Sequence, residues 1–466
     1  MIKKWSFYFD LDTENQSVPL YQQIANKIKE MIHSGILKKG NVLPSSRELA
    51  EELGISRKTV VNAMEQLVYK GILVNKERVG FFVAERKGHT QENAQPTPEK
   101  TDISETNMLV VDDGFPDSQL LPFKEFTRAY RQLFNRAAQW KMLGYMCPMG
   151  HVRFRQRVST ILSHGRGLQF SANEICITRG SQMALYLVAH SLLQPGETIV
   201  VENPGYERAK EAFRHGGLNV IPVDTDKDGI DTDQLETVCN THNIKAVYLT
   251  PRHHYPTTVS LSPSRRKKIV KLVEQHDFYV IEDDFGADFH YVGKQLAPLS
   301  CMIPKKNRIY VGTFSKIFAP ALRVGYIAAR EEVIQRVAQL RNLIDIQGDN
   351  IIEKTLFDLL EEGVLLRHVR KTSKIYKEKL MYISERIKFL LGKKAEYRKP
   401  TGGLAIWLCL NTGKSGDEIE RQLRQKSVSI EVLNTGKDTV GMRIGFASLS
   451  FQEIDTLIGA ISQLEL

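Results

Sequence analysis

Residues 85–107 read ERKGHTQENAQPTPEKTDISETN, a stretch that drops its apolar residues and takes up Gln, Thr, Pro and charge. No hydrophobic core runs through such a segment, because it has too little to bury to offset the entropy of ordering it. It reads as a solvated linker. The 466 residues therefore divide into a short unit (1–86), a linker (87–108) and a long unit (109–466), consistent with a chain too long for one core. No run of about eighteen apolar residues occurs, and MIKKWSFYFDLDTENQ lacks an apolar stretch with a cleavage site, so a cytoplasmic protein without a membrane partner is expected. Five cysteines, Cys147, Cys176, Cys239, Cys301 and Cys409, have no C-x-x-C spacing; neither a disulfide framework nor a metal site is expected. The net charge of +10 suits a polyanionic partner without specifying one.

In the short unit, PLYQQIANKIKEMIHSGIL sets Leu20, Ile24, Ile28 and Ile32 on one helical face, closed by Gly35. PSSRELAEELGIS repeats the pattern: Ser45 and Ser46 are candidate caps, and Gly54 makes the turn before Ser56 caps a third helix, RKTVVNAMEQLVYKG. Two helices joined through a short glycine-containing turn form a helix-turn-helix. ILVNKERVGFFVAE follows as two β-rich runs around a polar turn, a wing. Arg57, Lys58 and Thr59 occupy the first turn of the third helix, the end that a recognition helix presents to base edges in the major groove. Arg47 and Arg78 flank it as phosphate contacts. Double-stranded DNA is the expected partner.

Beyond residue 108, apolar runs such as EICIT, TIVVEN, LNVIPV, AVYLT, FYVIEDD and RIYVGT alternate with helical patterns. That alternation predicts an α/β unit with a largely parallel sheet. From about residue 365 a long charged helix and the strands around GGLAIWLCL and TVGMRIGFA predict a smaller α+β subdomain.

The predicted strand ends carry chemistry. VGTFSKIFAPALRVGY places Lys316 among small and hydroxylated residues, with Thr313 before it and Arg323 after it. YVIEDDFG ends a strand on Asp283 and Asp284; ITRGSQMAL opens a helix on Gly180, Ser181 and Gln182; VENPGYER brings Tyr206, and TPRHHYPTT Tyr255. An amine for an aldehyde, an acid for a pyridine nitrogen, a ring to stack, a phenol near a phenolic oxygen and a helix N-terminus with hydroxyls for phosphate are what pyridoxal 5′-phosphate requires. Their common place at the carboxyl ends of strands, where open α/β sheets bind ligands, makes the set coherent.

The short unit resembles the GntR-type winged helix-turn-helix; LPSSRELAEELGISRKTV places Ser46 and Arg47, and the wing places Gly80, where that family has them. The long unit, through GYMCPMGHVRFRQRVSTIL, ITRGSQMAL, VENPGYER, YVIEDDFG, GTFSKIFAPALRVGY, PTGGLAIWL and MRIGFA, resembles fold type I, aspartate-aminotransferase-like enzymes. That resemblance implies Lys316 as the Schiff-base lysine, Asp283 on the pyridine nitrogen, Tyr206 stacked on the ring, and Ser181, Gln182, Thr313 and Arg323 around the phosphate. Arg443 matches the arginine that holds an amino acid's carboxylate, and Arg208 one that meets an effector carboxylate in some members. Together the two units resemble the MocR family of regulators, which implies a head-to-tail homodimer whose pyridoxal domain senses a ligand. Two positions depart from the pattern: Phe285 stands where relatives commonly have a tyrosine, and Thr258 where PTG has its glycine.

The expectation is a regulator that binds DNA and senses an amino acid, or pyridoxal phosphate itself, through aldimine chemistry at Lys316. A working aminotransferase with an added DNA-binding unit is the alternative, and a dimerisation scaffold with an empty site a third.

Overall fold

The computed structural model describes residues 5–9, 19–76, 80–84, 108–134, 144–436 and 438–465. Its compact units are Met1–Asp102 and Ile103–Leu466. The linker falls almost wholly outside the described residues.

In the first unit, α1 (Leu20–His33) buries Ile24, Ala25, Ile28 and Met31. The 3.6-residue period moves the stripe off the simple spacing of four, so Leu20 and Ile32 are only half-buried. In α2 (Ser46–Leu53) the cap is Ser45, which accepts the Glu48 N–H while the Glu48 carboxylate accepts the Ser45 N–H; Gly54 ends the helix at φ 66°. Ser56 caps α3 (Arg57–Tyr69), which packs Val60, Ala63, Met64 and Leu67 into the same core. The wing is an antiparallel hairpin of β1 (Leu73–Lys76) and β2 (Gly80–Val83), with Lys76 opposite Gly80.

The second unit begins with β3 (Leu109–Val110), followed by α4 (Phe123–Phe134) and α5 (Val152–Arg166). An eight-stranded sheet then forms from β4 (Ile175–Thr178), β5 (Thr198–Asn203), β6 (Asn219–Asp226), β7 (Gly229–Ile230), β8 (Ile244–Leu249), β9 (Tyr279–Asp283), β10 (Arg308–Thr313) and β11 (Gly325–Ala328). Its order is β4-β11-β10-β9-β8-β5-β6-β7. β5, β6, β8, β9 and β10 run parallel, and β11 lies antiparallel between β10 and β4. All six expected strands are present; β11 was read only as part of the lysine motif.

The sheet is covered on both faces, so its strands are near-continuous apolar runs. One face packs on α6 (Gly180–Leu192), α7 (Glu207–His215) and, later in the chain than α8 (Thr232–Thr241) and α9 (Pro263–His276), on α10 (Glu331–Ile344). The opposite face packs on α8 and α9 and, at the β4 side, on α5 and α11 (Asn350–Glu361). The smaller subdomain follows α12 (Val364–Leu390). There β12 (Ala395–Arg398), β13 (Ala405–Asn411), β15 (Val432–Asn434) and β16 (Thr439–Gly445) form a sheet in the order β12-β13-β16-β15. That sheet shares a core with α12, α13 (Gly416–Gln425) and α14 (Phe451–Ser462). β3 pairs in parallel with β14 (Val428–Ser429) and so joins the start of the unit to this subdomain. Among the described residues no helix is long and apolar enough to cross a membrane.

Candidate functional site

In the first unit the Ser56 cap leaves Arg57 and Lys58 exposed on the first turn of α3, with Thr59 half-buried beneath them. Arg57 Nε donates to Ser46 Oγ at 3.3 Å, so Ser46, expected as a cap, instead tethers the arginine from the first turn of α2. Arg47 is exposed on the same turn, and Gly80 opens β2 at φ 117°, a conformation that favours glycine. Arg78 lies outside the described residues.

In the second unit the parallel strands deliver their carboxyl ends to one edge of the sheet. There a cavity of about 1140 Å³ is lined by side chains from five strand ends and from the smaller subdomain, Lys316, Asp283, Tyr206 and Arg443 among them. The two aspartates after β9 have different fates. Asp284 is turned away and closed: Arg252 Nε donates to it at 2.8 Å, and Arg252 Nη2 and the Tyr310 hydroxyl bond its other oxygen. Burial alone pushes the Asp284 carboxyl up, but Arg252, Arg166 and Tyr310 outweigh it and hold it below its usual range. Asp283 faces the cavity. Its Oδ2 accepts the Tyr248 hydroxyl at 3.2 Å, and its Oδ1 is buried with no hydrogen-bond partner among the described residues. Burial pushes this carboxyl up to about 7.

Lys316 follows β10 with its side chain 19% exposed. Its Nζ donates to the Gly114 carbonyl at 2.9 Å, lies 3.8 Å from Asp113 Oδ1 and 4.8 Å from the Phe115 ring centre. Burial lowers its affinity for a proton, and the Asp113 carboxylate partly opposes that shift.

The antiparallel β11 places Gly325 opposite both Thr313 and Thr178. A Cβ on Gly325 would lie 2.8 Å from the Gly180 backbone, and one on Gly180 2.8 Å from Arg323 Nη2. Only glycine lets the start of α6, β11 and the Arg323 guanidinium come this close. No side chain caps α6, so the N–H groups of its first turn, with Ser181 and Gln182, face the cavity without a capping acceptor. Thr313 is buried; its Oγ accepts the Ser315 N–H at 3.1 Å.

Tyr206, just before α7, meets Tyr255 edge-on at 5.1 Å between ring centres. The Tyr255 hydroxyl is pushed up by burial and by Asp113. Arg443 reaches across from β16 to lie 4.9 Å from the Tyr255 ring and 5.8 Å from Phe285, donating to the carbonyls of Asp113 and Pro256. Arg208 is exposed at the cavity rim. Thr258 takes φ 60°, the left-handed backbone a glycine would adopt without strain.

Every residue expected at the cofactor except Gly180 therefore lines this cavity, and Gly180 sits directly behind it against Arg323. The donor set fits pyridoxal phosphate on two structural grounds: the unpartnered Asp283 Oδ1 and the glycine-built cradle at α6. Sequence reasoning missed Tyr248, which orients Asp283 through a contact between strands, and Ser315, whose buried hydroxyl has no partner among the described residues. The one signal for Ser315 was its place beside Lys316.

Residues 113–461 match the family model "Aminotransferase class I and II", and residues 20–83 match "Bacterial regulatory proteins, gntR family". The chain is 29% identical to the HTH-type pyridoxine biosynthesis transcriptional regulator PdxR of Corynebacterium glutamicum, covering 97% of this chain and 96% of that protein. It is 23% identical to the probable rhizopine catabolism regulatory protein MocR of Rhizobium meliloti, over 93% of this chain and 87% of that one. Among solved structures, the Pyrococcus horikoshii kynurenine aminotransferase superposes with a TM-score of 0.71 at 25% identity, covering 77% of this chain and 90% of the enzyme. The α-aminoadipate aminotransferase LysN of Thermus thermophilus superposes with a TM-score of 0.70 at 25% identity, covering 77% and 92%.

Proposed function

We propose, since the chain belongs to the aminotransferase class I and II family and is, with its GntR domain, a MocR-type transcriptional regulator using pyridoxal phosphate, that it senses an amine-bearing effector at Lys316. The observation that carries this reading is the pairing in one cavity of a half-buried amine with a buried carboxylate oxygen that has no partner among the described residues. When bound, pyridoxal phosphate supplies an aldehyde that reacts reversibly with amines and a ring that withdraws electrons. Lys316 provides the amine. Asp283 Oδ1 accepts the pyridine N–H, and a ring cation there favours the ionised carboxylate that burial opposes. Tyr206 stacks on the ring, Tyr255 serves the phenolic oxygen in the absence of a donor at Phe285, and Gly180, Ser181, Gln182, Thr313 and Arg323 hold the phosphate. Arg443 binds the effector's carboxylate, with Arg208 at the rim available to a second one. Two copies associate head to tail, and the effector shifts the protein between DNA-binding states by its differential affinity for them.

Absorption titration tests this. The loaded protein is mixed with a panel of α- and γ-amino acids; a lasting shift of the visible band by one class supports sensing and names that class. Loss of the band with recovery on adding a keto acid would establish turnover instead, a reading favoured by the gathering of Lys316, Asp283 and Arg443 in one cavity and by the aminotransferase neighbours.

For DNA, Arg57 on α3 reads base edges and Arg47 positions the helix on phosphate. Arg57→Ala is expected to weaken binding to a duplex selected by the wild-type protein by about 1–3 kcal/mol and to relax preference at one base position. Arg47→Ala is expected to weaken all duplexes alike and flatten the salt dependence. Fluorescence anisotropy at several salt concentrations reads both, and an unchanged base preference in the Arg57 variant would remove it from base readout.

A further inference from the structure

The outward face of α3 carries two side chains that the fold does not use. Val60, Ala63, Met64 and Leu67 turn the other way, into the core. Successive helical residues rotate by about 100°, so the opposite face belongs to Lys58, Asn62 and Glu65, with Arg57 and Val61 along its edge. All of these but Val61 are exposed.

Asn62 stands inside the helix, where asparagine is a poor helix former unless its side chain finds a local partner. It makes no side-chain hydrogen bond with any described residue. Val61 is half-buried, yet it is absent from the apolar residues packed on this core, which Val68, two turns further on, does join. An unpartnered amide and an unpacked pair of methyl groups therefore lie side by side, one turn beyond Arg57 and Lys58. Neither contributes to holding the helix in place.

The tether on Arg57 sets where that turn meets DNA. Its Nε donates to Ser46 Oγ at 3.3 Å, which leaves the two terminal nitrogens of the guanidinium as a fork for a base edge. Four residues further along, the helix has advanced by about 6 Å, or roughly two base-pair steps. Val61 and Asn62 thus stand over different base pairs from Arg57.

We propose that Asn62 reads an adenine and Val61 the methyl group of a neighbouring thymine, an inference that rests on α3 being the helix that enters the major groove. Adenine presents there an acceptor, N7, beside the donor on N6. The Asn62 amide matches both at once: its N–H donates to N7, and its carbonyl oxygen accepts the N6–H. Guanine offers two acceptors at the same place, cytosine a donor, and thymine an acceptor with a methyl group beside it. That methyl is apolar surface which a valine covers and water leaves.

Modified bases test each contact atom by atom. A duplex selected from random sequence by the full-length wild-type protein is resynthesised with 7-deazaadenine, which lacks the N7 acceptor, at one adenine at a time. A second series carries uracil, which lacks the methyl group, at one thymine at a time. Fluorescence anisotropy compares wild type, Asn62→Ala and Val61→Ala on both series. One adenine replacement is expected to weaken wild type roughly 10-fold and Asn62→Ala not at all. A neighbouring thymine replacement is expected to weaken wild type about threefold and Val61→Ala not at all. Binding to an unrelated duplex should be unchanged in both variants, which also shows that they are folded. If every modified duplex penalises the variants as it does wild type, neither side chain reads a base; an equal loss on unrelated DNA would make both structural. Either result overturns the proposal. A wild-type protein that selects no sequence at all would instead strike the reading of α3 beneath it.

Discussion

Lys316→Ala protein is expected to lose the visible absorption band of bound pyridoxal phosphate altogether, while its thermal midpoint stays close to that of the wild type. The lysine's neighbours explain both halves of this result. Its Nζ contacts in the structure are a carbonyl, the ring of Phe115 beneath it and a carboxylate at 3.8 Å, so little of the core depends on it. Its nitrogen, by contrast, has no ready substitute. Lys210 also lines the cavity, but it is paired with Glu207 at 3.2 Å on α7. A persistent band in the alanine protein would point to Lys210 and would overturn the assignment; a double variant, Lys316→Ala with Lys210→Ala, would decide it. The cofactor itself should still bind through its phosphate and ring contacts, so retention of phosphate-dependent binding without the band is part of the expected result.

The second large effect concerns stability. Arg252→Ala should destabilise the second unit by about 3–5 kcal/mol, because removing one partner of a buried ion pair leaves the other charge uncompensated. Asp284 is that charge: its side chain is 2% exposed and its Oδ1 accepts from Arg252. The sign of the pH dependence follows from the same pair. Asp284's folded value lies below its unfolded value of about 4, so the pair's contribution is complete above that pH and fades as pH falls through the folded value. The stability gap between wild type and Arg252→Ala should therefore be widest near neutrality and narrow on acidification. Urea unfolding at several pH values measures it. A gap below about 1 kcal/mol at neutral pH would place Asp284 in the care of Tyr310 and Arg166 instead.

Much of this was legible from residue order. The alternation of apolar runs and amphipathic stretches gave six of the sheet's strands because buried parallel strands have no polar face to disguise them. The residues that line the cavity were legible because most sit at strand ends, a position that local patterning marks. What patterning does not mark is partnership across the sheet. Asp283 and Asp284 are adjacent in sequence and alike in chemistry; only the approach of Arg252 and Tyr310 to one, and of Tyr248 to the other, tells them apart. The choice of Ser45 over Ser46 as cap was open for a similar reason, since both precede the same apolar stripe, and the Glu48 carboxylate reaching back to Ser45 settles it. Gly325 went unmarked in the sequence because its role, the close approach of three backbone segments, arises only when β11 inserts antiparallel between β10 and β4.

The ladder of β3 with β14 makes the entry of the chain into the second unit something other than a loose end. Immediately past the linker, the backbone is cleated to the smaller subdomain by the bonds of Leu109 and Val111 to Ser427 and Ser429. A few residues on, it is hooked again at the Gly114 carbonyl by the reactive amine. On the proposed reading of Lys316, the second hook is the one that binding of an aldehyde would unfasten. Residues 109–114 thus join the smaller subdomain to the candidate site along one short stretch of backbone.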